Sequence, residues 1–186
     1  MKRWFDLKKN VICAMCIALC YVLPMVFHSI PNAGSVFCPM HIPVFICGLV
    51  AGWPYGLICG LVGPVLSSVL TGMPPMAILP SMMCELAVYG FVSGLVMKLL
   101  HTKSTYLDLY LSYFVAMILG RVVAGVTKAF LFTKGSYSMA AWVSGHIVTS
   151  LPGTVVQVVL LPSIVVVLMK SGLIEKRYAQ KRKTEK

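Results

Sequence analysis

Any chemistry this chain performs must begin with Glu85 and Arg121, because each stands deep inside a run of apolar side chains. An ionisable group in such a place is costly to hold and is by default a functional candidate. Glu85 falls about nine residues into one run, roughly 13 Å at 1.5 Å per residue, and Arg121 lies at a similar depth in the next. A carboxylate and a guanidinium at one level invite pairing, as a polar binding floor or as a structural brace. His146 lies nearer the surface on the last run, and Lys128 near the end of the run that carries Arg121. Tyr89 and Ser150, one helical turn from Glu85 and His146, extend the polar patch. A second candidate is the polar loop 28–41, with His28, Asn32, Ser35 and His41 and with Gly34 as a hinge. Such a mixture suits a lid over a pocket.

This chemistry is recognition, and the sequence offers little for bond breaking. It contains no G-x-S-x-G, H-E-x-x-H or Walker A motif. Without a Walker A, ATP cannot be used by that route, and no cofactor or catalytic residue is assigned. His28 and His41 lack a third ligand, so no metal site is assigned. Cys13-Ala-Met-Cys16 is formally a C-x-x-C, but it lies in an apolar helix, and the seven scattered cysteines read as small packing residues.

The elements that must hold these residues are membrane helices. Of the 186 residues 59% are hydrophobic and 11% charged, with a mean hydropathy of +0.88. A soluble domain carries about a quarter charged residues, and a small one cannot bury such an excess of apolar surface. The expected architecture is all-α and integral to the membrane: one domain over 1–186 with spans at about 10–28, 42–52, 55–71, 76–100, 107–132 and 139–170, then a basic tail 171–186. The apolar run 41–71 is too long for one span of a ~30 Å core, and Trp53-Pro54 divides it. The last span needs a tilt or a kink near Pro152-Gly153.

The net charge of +11 sits at the ends. Four cations precede the first span, seven follow the last, and Lys98 and Lys103 share a mid-chain loop. Six spans put these thirteen of sixteen cations on one side, which should be cytoplasmic together with both termini. Charge placed this way is a topology signal and not a nucleic-acid groove. Small residues recur every fourth position at Gly48, Gly52, Gly56 and Gly60, at Gly90 and Gly94, and at Ala116, Gly120 and Ala124. This spacing lets helix backbones approach closely in lipid.

Several stretches together resemble the substrate-binding S components of energy-coupling factor (ECF) vitamin transporters, over about residues 8–170. They are Ala14-Met-Cys-Ile-Ala18, similar to the family's A-x-x-x-A motif; Pro39-Met-His-Ile-Pro43 with the glycine-rich helices and Leu70-Thr-Gly-Met-Pro-Pro75; Glu85-Leu-Ala-Val-Tyr-Gly90; and Leu151-Pro-Gly153 with Gln157 and Pro162. The resemblance implies a non-enzymatic six-helix subunit of a prokaryotic plasma-membrane importer. Such a subunit binds a water-soluble vitamin or precursor from outside, and works with a transmembrane coupling subunit and two cytoplasmic ATPases. Ala14 and Ala18 would be the docking surface, a stripe thin in side chains on one face. The family's site lies where the charges point, which makes Glu85, Tyr89, Arg121, Lys128, His146, Ser150, His41 and Asn32 substrate-binding candidates. An aromatic heterocycle is the expected cargo, with Tyr89 and Phe37 available for stacking. The rival reading is a self-sufficient ion-coupled secondary transporter, although no internal repeat of the kind such proteins carry is visible.

Overall fold

A computed structural model describes residues 6–27, 33–100, 102, 104–131, 144 and 148–172. Every regular element among them is helical: α1 (Leu7–Phe27), α2 (Ala33–Phe37), α3 (His41–Ala51), α4 (Trp53–Thr71), α5 (Leu79–Leu99), α6 (Thr105–Leu131) and α7 (Leu151–Lys170). Five of these (α1, α4, α5, α6 and α7) are long and apolar enough to cross a membrane, and α3 is a shorter apolar helix. Their surfaces carry the large apolar side chains that lipid requires, among them Val69, Phe130, Val155 and Val159. The ends of the expected first and fifth spans at 28 and 132, the start of the sixth at 139–143 and most of the tail 171–186 lie outside the described residues.

Glycine decides how α3, α4 and α5 meet. A Cβ placed on Gly56 would strike the Gly90 carbonyl, and one on Gly90 would strike that of Gly56. Gly60 lies equally close to the Leu86 backbone, and Gly94 to the backbones of Trp53 and Gly48. The four-residue spacing therefore does what close packing in lipid demands. Gly52 has a different task from its neighbours in that series. Its φ of 101° lies in the region open to glycine, and it forms the break between α3 and α4, one residue before Trp53-Pro54.

At eleven residues α3 covers about 16 Å, half of a bilayer core. Its end is level with the start of α1, since the Asp6 amide donates to the Tyr55 hydroxyl at 3.2 Å. Its start lies well below the end of α1, because the Cys20 thiol, seven residues before that end, faces the Met40 carbonyl at 3.8 Å. The missing height is filled by α2 and the turn 38–40, which lie between α1 and α7 across the start of α3.

Irregular backbone at such a depth needs internal partners, and this segment has them. The Cys38 amide donates to the Gly34 carbonyl and the His41 amide to that of Cys38. The Gln157 amide reaches the Phe37 and Cys38 carbonyls at 3.5 and 3.4 Å. Gly153 lets α7 approach, because a Cβ there would collide with the backbone of Val36 and Phe37. Phe37 stacks on Phe27 of α1 with ring centroids 5.6 Å apart.

The core beneath is made of small sulfur-bearing and aromatic side chains. Cys13, Cys16 and Cys20 of α1 pack with Cys47 and Cys59 and with Phe45, Tyr89 and Tyr113. α1 thus buries one narrow cysteine face and leaves Ala14, Met15, Ala18 and Leu19 exposed. At the opposite end of the bundle Asp108, fully buried, accepts from the Thr102 amide at 3.1 Å and holds the loop between α5 and α6.

Candidate functional site

Polar side chains from α3, α5, α6 and α7 converge just beneath the α2 segment. Glu85 stands six residues into α5, about 9 Å along its axis, and its side chain is 11% exposed. The Tyr89 hydroxyl, one turn further on, donates to Glu85 Oε1 at 2.7 Å. That short distance is characteristic of a charge-assisted O–H···O bond. His41, the first residue of α3, brings Nε2 to 3.8 Å from the same oxygen.

Aromatic rings hold this acidic corner in place. Tyr89 packs against His41 at 5.2 Å and stacks on Phe45 at 4.9 Å, and Phe45 meets Tyr113 at 4.9 Å. Tyr89 can lie flat on α6 only because residue 120 is glycine; a Cβ there would enter its ring. Cys38 borders the corner from the turn.

The basic corner is built on α6 and α7. Arg121, adjacent to Gly120, donates from Nη2 to Ser150 Oγ at 2.8 Å and to Thr154 Oγ1 at 3.0 Å. Ser150 occupies the N-cap position of α7 and is buried. Thr154 is held in turn by donation to the Ser150 carbonyl at 3.0 Å. Gln157, one turn below, accepts from the Tyr113 hydroxyl at 3.4 Å while its amide reaches the α2 segment. The two corners therefore share the wall of Tyr89, Phe45 and Tyr113. Together they form a buried polar cluster with an acceptor side, a donor side and aromatic faces.

The structure brings together Glu85, Tyr89, His41, Arg121 and Ser150 from the sequence-based set. Lys128 lies half-buried on α6, two turns beyond Arg121, towards the same end of the bundle. Phe37 borders the region, with its ring engaged by Phe27 and its carbonyl by Gln157. His146, Asn32 and His28 lie outside the described residues. Sequence reasoning had not singled out Phe45, Tyr113, Thr154 or Gln157 as lining groups. Tyr113 stands eight residues before Arg121, close to two full turns, and that register was the one signal available for it. Ala14 and Ala18 lie elsewhere, on the exposed face of α1. No group of three or more metal-ligating side chains occurs among the described residues.

The family model described as ECF transporter, substrate-specific component, matches residues 8–165, most of the chain. No curated protein and no solved structure matches it.

Proposed function

Because the chain belongs to the family of ECF transporter substrate-specific components, and is thus a multi-pass protein of the cell membrane, we propose that its cargo is an aromatic heterocyclic vitamin or vitamin precursor. Members of this family are transport subunits, so the polar recess serves binding and not bond breaking. The single observation that carries the reading is the convergence of Glu85–Tyr89–His41 and Arg121–Ser150–Thr154 on one aromatic wall, beneath the α2 segment. A flat heterocycle offers π faces to Tyr89, Phe45 and Tyr113, and its polar edge finds a donor on one side and an acceptor on the other. Burial among these groups explains how a water-soluble molecule could be held inside a membrane protein, since each polar contact left behind in water is replaced.

In this reading the chain spans the membrane six times, α3 and the α2 segment together making the second crossing, with both termini cytoplasmic. The exposed cations Lys8, Lys9, Lys98 and Lys170 support that orientation, which opens the recess outward. Lys128 completes the site from its outer rim, and His146 and Asn32 remain cargo-binding candidates on their sequence alone. Ala14 and Ala18 form the docking face for the transmembrane coupling subunit, which two cytoplasmic ATPases drive.

Native mass spectrometry of the chain purified from its own source, without added vitamins, tests the proposal. A co-purifying heterocycle of a few hundred daltons is the expected result. Uptake by the purified chain alone, driven by a proton or sodium gradient, would overturn it in favour of an ion-coupled carrier.

A further inference from the structure

Among the described residues, Nδ1 of His41 is a buried polar atom of this cluster with no hydrogen-bond partner, and its side chain is only 12% exposed. Buried polar atoms in native proteins are almost always satisfied, and an exception within a polar cluster asks for an explanation, which a bound group would supply. The ring around this atom is held on several sides. Its Nε2 faces Glu85 Oε1 at 3.8 Å, its plane leans on Tyr89 at 49°, and its backbone amide is tied to the Cys38 carbonyl. A flip of the ring in its own plane would keep the Tyr89 contact but carry Nε2 away from Glu85.

Which nitrogen carries the proton follows from the neighbours. In a neutral imidazole one nitrogen donates and the other accepts, and the hydrogen bond or charge at one decides the other. In the neutral ring the Glu85 carboxylate, which faces Nε2 at 3.8 Å, favours the proton there and makes Nδ1 the acceptor. We propose that His41 Nδ1 is a specificity-determining atom of the site, accepting a hydrogen bond from a neutral N–H or O–H group on the edge of the cargo. The inference rests on the binding role proposed above and narrows it. A cargo carboxylate at this edge would meet both the lone pair and the Glu85 charge, so any anionic group must lie towards Arg121 instead. The cargo class is a heterocycle with a ring N–H, hydroxyl or amino donor on the side facing α3.

Two substitutions separate the two nitrogens. His41→Asn places an amide atom near Nδ1, whereas His41→Gln places one near Nε2. The probes are pyridoxine and hydroxymethylpyrimidine, which carry neutral donors, and 4-pyridoxate, in which a carboxylate replaces a hydroxymethyl group. Binding is read by calorimetry on the purified full chain in detergent. The unsubstituted protein should bind at least one donor-bearing probe and bind 4-pyridoxate at least tenfold more weakly than pyridoxine. His41→Asn should stay within about threefold of the unsubstituted protein, and His41→Gln should fall at least tenfold, about 1.4 kcal/mol. A thermal melt of each variant establishes that the bundle is folded. Equal affinity for pyridoxine and 4-pyridoxate, or affinity indifferent to both substitutions, overturns this inference while the binding role stands. The reverse ranking, with His41→Gln retained and His41→Asn lost, assigns the contact to Nε2 and also overturns it. If the unsubstituted chain binds none of the probes and carries no heterocycle from its source, the binding reading falls, and this inference with it.

Discussion

At Glu85 the chain keeps a carboxylate within an apolar helix by giving one of its oxygens a hydroxyl at 2.7 Å and an imidazole at 3.8 Å. Removing such a partner leaves a buried charged group short of a hydrogen bond, worth about 1.5–3 kcal/mol. Tyr89→Phe should therefore lower stability by about that amount in a detergent melt, while Glu85→Gln, which keeps an acceptor for Tyr89, should cost less stability but weaken cargo binding. Arg121 gives a cleaner test of the site. Arg121→Met removes its donors to Ser150 and Thr154 but keeps the apolar stem, so binding should drop at least tenfold with the bundle still folded. An unfolded variant would mean that Arg121 is a brace. Glu85 and Arg121 could be picked out in the sequence because a charge inside an apolar run is conspicuous. Thr154 and Gln157 could not, since uncharged polar residues in membrane helices commonly bond their own backbone and only the fold shows which ones face a neighbour.

Among the elements, the glycines set the distances. Gly56 and Gly90 bring α4 and α5 so close that neither accepts a Cβ without displacing the other's backbone. Gly90→Val should accordingly destabilise the bundle by at least about 1–3 kcal/mol, as overpacking does, visible as a lower melting temperature and loss of binding together. On α1 the opposite outcome is expected. Ala14 and Ala18 are exposed, and 17% of the most apolar stretch of α1 is buried against 44% for α4 and α5, so the helix has surface to offer a partner. Replacing both alanines with leucine should abolish uptake in cells while leaving cargo affinity unchanged. Loss of binding as well would remove the docking role. The spacing of small residues announced the close crossings, but it could not separate Gly52, which turns the chain, from Gly48 and Gly56, which pack. The break at Trp53-Pro54 marked α3 as a short run at about 42–52 in the sequence, but composition does not reveal that the α2 segment folds across its start.

The whole molecule is ordered by the asymmetry of its charge. Exposed Lys98 and Lys170 mark one end of the bundle, and the recess lies towards the other. With Cys84 replaced, a cysteine at Lys98 or Lys170 should react with an impermeant maleimide only from the cytoplasmic side, and one at the exposed Met76 only from outside. The reverse pattern would turn the recess inward and end the uptake reading. The all-helical membrane class was legible, since hydropathy answers directly to the bilayer, and of the candidate site it was the charged members that stood out. The seat of the α2 segment was not legible, because it depends on Phe27, Gly153 and Gln157 meeting a segment far away in sequence. That seat also bears on time. The α2 segment is fastened to α1 by a ring stack and to α7 by an amide, and under the proposed binding role cargo passing it would wait for both fastenings to part. Stopped-flow association should then level off at high cargo concentration, at the rate with which the segment lifts. The same wait would govern departure, so a cargo's residence would be long even where its individual contacts are modest.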